Sequence, residues 1–495
     1  MLLDQSAQFA FERAVFERDS RSHPAVWPSR QNEMREVFAA IDSSAAGASA
    51  LFNPTLGGSL GGKWRGGVSP ILDIGAGVSS ERGALYLASG GAQAALHYGE
   101  KWTLYAEIFG GFERAPGYIN DFADSLGVVP GLGRNRGSGD QLAFLLPTFA
   151  LSYSPSKYFQ IDAGLGTHRF GSGYRSLLLS DAAYNYPYLK ITTDVWHFKY
   201  TNLFAALTHI SDEAVRSENF EPKYAATHYL SWAVSKRVTF SIFESIVWQG
   251  RDTLSDRGFD VHYLNPVIFY RPVEFAMGSP DRVLVGADLQ VRLGTKAALY
   301  GQFTLDEFLL ENLRERTGWW ANKWGVQIGA KVYDIFGVNG LRAQAECNVV
   351  RPFTYSHGSV VQNYAHFNQP LAHPLGSNFY EGVLLLNYDR GSWFAGSHSV
   401  AARYGRDDGT NMGGNLFRSY ANPEMIFGNR IAQGVKHDVL FQRLSVGRVI
   451  DRRMNLRLSV RYTMRAEQVG DNPVGVEHFA GLHLTTGFYN RQRDF

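Results

Sequence analysis

Cysteine is almost absent, with one residue, Cys347, in a chain of 495. A single thiol excludes an internal disulfide framework and any zinc or iron–sulfur site built from several thiolates. Charge imbalance is absent too: 48 Lys and Arg stand against 46 Asp and Glu, a formal net charge of +2. Neither a polybasic nucleic-acid binder nor an acidic solvating protein is indicated, so no nucleic-acid partner is expected. No window approaches the roughly 18 consecutive apolar residues of a spanning helix, and the mean hydropathy is −0.20. A helical membrane protein is thereby excluded. No Gly-x-x-x-x-Gly-Lys-Ser/Thr phosphate loop occurs, which leaves nucleotide chemistry unsupported. The opening Met1-Leu2-Leu3-Asp4-Gln5 lacks the basic and apolar regions of a secretory signal. Read alone this points to the cytoplasm, but the body of the sequence outweighs it.

What the chain has in quantity is aromatic residues and glycine: 33 Phe, 25 Tyr and 10 Trp, with 52 Gly. The aromatics call for a large apolar surface, and the glycines, without a collagen period, read as punctuation between many short strands. Residues 1–45 differ from the rest. Phe9, Phe11, Phe16, Met34, Val37, Phe38 and Ile41 interleave with charged residues around Pro24 and Pro28, a pattern that predicts short amphipathic helices. The breaker-rich passage Gly47 to Gly67 then ends any helical period, and the boundary falls there, with a second unit over 46–495.

Beyond it the period is two. Leu456, Leu458, Val460, Tyr462 and Met464 alternate with Arg457, Ser459, Arg461, Thr463 and Arg465; Val283 to Leu293 and Leu299 to Leu305 repeat the pattern. One face of such strands is greasy and the other polar. In a transmembrane barrel the apolar face meets lipid, the polar face meets the lumen, and closure pairs every backbone group. A β-sandwich or propeller core is the alternative source of the pattern. About 445 residues allow about 16 to 22 strands, and we take about 18. The expected fold is all-β: a single antiparallel transmembrane barrel behind a short helical segment at its periplasmic end. Trp102, Tyr105, Tyr158, Phe159, Trp319, Trp320, Trp324 and Trp393 suit interfacial girdles. Leu482, Leu484 and Phe488 are out of phase with Phe495, so the closing strand is expected to stop near Tyr489 and leave a short tail.

Three arginines at the lipid midplane would cost about 2 to 4 kcal/mol each, so Arg457, Arg461 and Arg465 must face inward as lumen charges, with carboxylates or anions beside them. Asp288 and the Asp306-Glu307 pair are candidates. Arg175 and Asp181, six residues apart around a Leu run, suit a lumen-facing pair that anchors an inward loop; a plain surface turn is the alternative. From Tyr355 to His373 the chain gathers Tyr355, His357, Asn363, Tyr364, His366, Asn368, Gln369 and His373. Aromatic faces beside amides and imidazoles are what a sugar site needs, and loop packing over or inside the barrel uses the same groups. The His spacings of nine and seven fit no compact metal pattern, and no cofactor is expected. Asp306 and Glu307 point to opposite faces as strand neighbours, which favours structural charge pairing over acid–base work. Thr208 to Asp212 sets His, Ser and Asp in a row, where adjacency is no triad. Gly57-Gly-Ser-Leu-Gly61 spells a nucleophile elbow without its flanking strand and helix, and reads as a turn.

Four patches go beyond generic strand: Gly171 to Asp181 with Tyr184-Asn-Tyr-Pro-Tyr188; Leu264-Asn-Pro-Val-Ile-Phe-Tyr-Arg271; Leu299 to Phe308 with Gly318-Trp-Trp-Ala-Asn-Lys323; and Val350-Arg-Pro-Phe-Thr-Tyr-Ser-His357 with Asn363 to His366 and Gln369 to Asn378. Together they resemble the Wzi-type capsule-assembly outer-membrane barrels, and among these the gliding-motility RemB branch, over roughly Pro24 to Arg406. Arg351 belongs to the fourth patch. The resemblance implies a non-enzymatic 18-stranded barrel in the bacterial outer membrane, in contact with lipid or lipopolysaccharide and linked to surface polysaccharide, gliding or adhesion. A diffusion porin, which needs a clear lumen, and a structural subunit of a larger outer-membrane export or motility complex with other outer-membrane proteins are the alternatives.

Overall fold

The computed structural model describes residues 5–17, 21–29, 56–210, 220–251, 257–268, 281–486 and 492–495. Eighteen long strands close on themselves among these residues. In chain order they are β1 (Trp64–Ser79), β2 (Gly83–Tyr98), β3 (Trp102–Arg114), β4 (Leu142–Tyr153), β5 (Phe159–Gly166), β6 (Tyr186–Val195), β7 (Phe198–Ile210), β8 (Phe220–Trp232) and β9 (Val238–Gln249). The second half comprises β10 (Arg282–Leu293), β11 (Ala297–Glu307), β12 (Lys323–Tyr333), β13 (Leu341–Val350), β14 (Phe379–Arg390), β15 (Trp393–Arg406), β16 (Val435–Asp451), β17 (Leu456–Val469) and β18 (Gly475–Thr485). Each strand pairs antiparallel with its neighbours in sequence, and β18 closes on β1. The Gly57 to Gly61 run is a strand and not the expected turn: Leu56–Gly61 pairs with the start of β1, from Leu56 opposite Val68 to Gly61 opposite Trp64.

Alternation sets the two faces. On β10, Arg282, Leu284, Asp288, Gln290 and Arg292 are buried while Leu289 and Leu293 are exposed; on β12, Lys323, Gln327 and Lys331 are buried while Ile328 is 65% exposed. A row of large apolar residues therefore covers the outer wall, including Ile108, Phe149, Leu299, Phe303, Leu384, Leu444 and Val460. This is the apolar band that a bilayer solvates. Connections at one end are short turns and most of those at the other are long loops, residues 80–82 and 470–474 being short links at that end too. Around the short-turn end the outside carries Trp102 stacked on Tyr153, Trp64 beside Tyr98, and Phe198 on Trp232, with Tyr158, Phe159 and Trp393 exposed nearby. Three of the expected girdle residues lie elsewhere. Tyr105 has the opposite parity to Trp102 and faces the lumen, bonded to Glu107 and Gln93. Trp319 and Trp320 precede β12 in a loop.

The core sits inside the barrel. At the short-turn end, helix α1 (Gln5–Glu17) buries Phe9, Phe11, Val15 and Phe16, and Glu12 takes Lys331 Nζ at 2.7 Å on both carboxylate oxygens. The expected second helix, with Met34, Val37, Phe38 and Ile41, lies outside the described residues. From the long-loop end, residues 167–185 and 351–378 fold inward. Their Phe170, Leu177, Leu178, Leu179, Tyr355, Tyr364 and Leu371 form one cluster with Leu203, Tyr229, Phe243, Leu284 and Phe379 of the wall. Gly286 makes room for this packing, because a Cβ there would lie 2.4 Å from Leu178 Cδ2. Helix α2 (Gly117–Leu126), between β3 and β4, covers a second apolar cluster through Ile119 and Ala123.

Candidate functional site

The two inward loops are held by the wall's polar face. Glu346 of β13 accepts the backbone N–H groups of Tyr174 at 2.6 Å and Arg175 at 3.0 Å. Gln302 of β11 accepts that of Leu177 at 2.8 Å, and Asp288 of β10 that of Ser172 at 3.2 Å. Charged and amide side chains on strands thus take the backbone donors of a loop that no sheet satisfies.

Arg175 is at the centre. Its side chain is fully buried and its guanidinium meets Glu381 of β14 at 2.9 Å and Asp494 of the C-terminal tail at 3.1 Å. Glu381 also receives His373 Nε2 at 2.8 Å and Asn348 Nδ2 at 2.9 Å. Asp494 receives the Tyr174 hydroxyl at 3.0 Å and lies 2.8 Å from His398 Nε2. Burial opposes the charge on Asp494, but Arg175 and His398 override it and hold the carboxyl far below the usual range. The expected Arg175–Asp181 pair does not form: Asp181 instead accepts Gln492 Nε2 at 3.0 Å, so both residues are tied to the tail. β18 ends at Thr485, and Tyr489 lies outside the described residues. Residues 492–495 lie among lumenal groups, with Arg493 forked onto Glu113 and Phe495 against Tyr118 and Phe122.

The residues expected to gather between Tyr355 and His373 do gather, but inward. Tyr355, Asn363, Tyr364, His366, Asn368, Gln369 and His373 are all buried, and their bonds stay within the protein. Tyr355 OH donates to Leu177 O at 2.8 Å; Lys223 Nζ donates to Asn363 Oδ1 at 2.7 Å; Gln369 accepts Gly131 N–H at 2.6 Å; Asn368 donates to Leu126 O at 3.2 Å. His366 accepts Thr208 N–H on Nδ1 at 2.9 Å and reaches Asn185 O from Nε2 at 3.2 Å, the pattern of a neutral ring. Its burial pushes it down to about 3. These side chains are closed to an external glycan. Among the described residues no three His, Cys, Asp or Glu groups gather for a metal.

The expected neighbours of the three lumen arginines are corrected. Asp306 pairs with Arg282 and Glu307 with Lys323, at 2.9 Å for the latter, and Asp288 serves the 167–185 loop. Distance along the wall is the reason, since β10 and β11 lie across the barrel from β17. Arg465 pairs with Glu467 at 2.7 Å and reaches Phe495 O at 3.2 Å; Arg457 donates to Asn455 at 3.0 Å; Arg461 lines a lumenal cavity.

At the long-loop end one cluster stays within reach of solvent. Trp320 lies against Tyr420 and Phe353 at centroid distances of 5.1 and 5.6 Å; Trp319 is 6.3 Å from Trp320, and His357 is 5.5 Å from Tyr420. Trp319, Trp320, His357 and Tyr420 are half-buried, as is Arg351, whose Nη2 donates to Trp319 O at 3.3 Å. Tyr420 sits in an irregular loop without periodicity, and nothing in the sequence ties it to Trp320.

No family model and no curated protein sequence matches the chain. A solved structure does. Wzi of Escherichia coli, described as an outer membrane protein involved in group 1 capsule assembly and a carbohydrate-binding β-barrel, covers 98% of this chain with 98% of its own, at 12% identity and a TM-score of 0.57. The fold is that of an outer-membrane β-barrel. OccAB4 of Acinetobacter baumannii (TM-score 0.45, 7% identity, 85% of this chain and 97% of that one) and OprD of Pseudomonas aeruginosa (0.42, 7%, 85% and 94%) are also similar.

Proposed function

We propose that the protein is a non-enzymatic outer-membrane barrel that holds surface polysaccharide at its long-loop end. The observation that carries this reading is the half-exposed platform of Trp319, Trp320, His357 and Tyr420 beside Arg351, which combines flat apolar faces with directed donors. The Wzi-like fold and the sequence resemblance support it. On this reading the long loops face outward and the short turns, with α1, face the periplasm, as in other barrels of this class. A diffusion porin needs a clear lumen, and here α1, both inward loops and the tail occupy it. A role in gliding, implied by the resemblance to the RemB branch, draws support from the sequence patches alone. Membership of a larger export or motility complex would show as co-purification of a partner from native membranes.

The test is binding of surface polysaccharide, purified from the source bacterium, to the barrel in nanodiscs. The W320A/Y420A double variant is expected to bind about tenfold more weakly, from two ring contacts at roughly 0.5–1.5 kcal/mol each. Equal binding by the folded double variant would refute the platform.

A further inference from the structure

One long loop lies on the outside of the wall. Residues 257–268, which follow β9, pack against β7 to β9: Tyr263 is fully buried among Phe204, Ala226, Ile246 and Trp248, whose parity is opposite to that of the lumenal Leu203, Tyr229 and Phe243. Two hydrogen bonds fix how far this strap reaches. Gly258 O accepts Trp248 Nε1 at 3.2 Å near the long-loop end, and Pro266 O accepts the Tyr200 hydroxyl at 2.7 Å. Trp248 is level with Tyr224 and Ala206, and Tyr200 is six residues further down β7, roughly 20 Å along the strand. It stands two residues from the Phe198–Trp232 stack at the short-turn end, so the strap runs through the apolar band. On the covered wall the outward row Asn202, His228 and Glu244 is buried, polar groups that hydrocarbon would not solvate.

The outer side of the strap is bare among the described residues. Val261, Leu264 and Val267 are 66, 43 and 63% exposed, and apart from one short turn of helix, Val261–Leu264, the backbone is irregular. Lipid does not solvate irregular backbone at this depth, which persists there only against protein. The far side of the barrel has the converse relief. Cys347, Gly382 and Ala401, level on β13, β14 and β15, floor a groove of about 760 Å³ that Tyr380 and Leu440 border. An exposed ion pair of Arg403 and Asp438 marks its long-loop end, as the Arg257–Asp260 pair gives the strap a polar end. Large knobs on one surface and small residues on the other allow the close approach that packed membrane interfaces use.

We propose that a second copy of this chain covers the strap, with the Val261 to Val267 ridge seated in the Cys347–Gly382–Ala401 groove. The two surfaces lie on different sides of one wall, so the contact is head-to-tail and repeats into rows or rings of barrels in the membrane plane. The inference stands apart from the polysaccharide reading.

The lone cysteine, exposed on the groove floor, is the reporter. Native membranes carrying V261C are treated with a short bismaleimide, which joins the new thiol to Cys347 of a second copy. Dimers and a ladder of larger species are expected for V261C and none for V261C/C347S; V261C/A401W, which fills the groove from its outer face, should couple about tenfold less. Heat-modifiable migration in gels checks that each variant folds, and V267C repeats the reading should V261C not fold. Coupling of V261C/C347S to itself would place strap against strap, coupling to another protein would make the partner a different chain, and no coupling in folded V261C would leave the strap to lipid; each of these overturns the proposal.

Discussion

Replacing Arg175 with methionine keeps length and apolar bulk but removes the charge shared by Glu381 and Asp494. The guanidinium makes contacts of 2.9 and 3.2 Å to Glu381 and 3.1 Å to Asp494, and 3.2 Å to the Gln492 side chain, all at buried positions. Breaking one buried pair by deleting a partner costs about 3–5 kcal/mol, mostly because the remaining charge stays buried. Two carboxylates are stranded here, which pushes the cost up. Each keeps other donors, His373 and Asn348 for Glu381, and Tyr174 for Asp494, which pulls it down. We expect about 3 kcal/mol, a shift of roughly a hundredfold in the equilibrium between docked and released loop. Proteolysis of intact barrels should cut within residues 167–185 much faster in R175M, and urea unfolding in lipid should show the loss. The R175M/E381L/D494N triple variant should recover most of it, since apolar replacement of a buried ion cluster is often neutral. R175M with unchanged protection and unfolding within about 0.5 kcal/mol of the parent would refute the account.

Acid should loosen the second loop. His366 is held neutral at about 3 against about 6.5 when released, so the folded value is depressed. Its stabilisation is full above pH 6.5 and lost as pH falls toward 3, about 2 kcal/mol at pH 5; hydrogen exchange in 351–378 should rise over that window, and H366Q should flatten the response. E12Q leaves Lys331 buried without its carboxylate and should release α1, at a cost of about 3 kcal/mol, read as new protease cleavage in residues 5–17. I328R places a guanidinium on the outer face and should cost about 2–4 kcal/mol in lipid, whereas a polar change on the lumenal face of β12 should not show that lipid-depth penalty.

The alternation of β10, β11 and β17 made the wall, its phase and its approximate strand number legible, because period two is a local property of backbone geometry. Tyr105 escaped it for a related reason: an aromatic fits either face, and one position of parity decides which. Arg175 stood out in sequence as an anchor, but its partners are 206 and 319 positions away, and no local spacing carries such a pairing. Glu381 left a trace, as a lone acid in the inward row of Phe379, Val383 and Leu385. The Tyr355 to His373 cluster showed that these residues belong together; which way the loop folds depends on lumenal partners such as Lys223 and Gly131 that lie elsewhere in the chain.

The wall is not equally strong around its circumference. β1 and β2 are joined along sixteen residue pairs, whereas β18 meets β1 along seven, from Phe479 opposite Ser79 to Thr485 opposite Asp73. Gly77 faces Gly481 within that stretch, so side-chain packing adds little to the joint. The β4–β5 joint is shorter still, at five pairs, but Asn185 at the end of the first inward loop braces it by donating to Pro147 O at 2.7 Å and Thr148 Oγ1 at 2.9 Å. Rupture of this barrel should begin at the β18–β1 line and peel the terminal strands away first, while the β5–β14 arc, riveted from inside by its two loops, stays together longest.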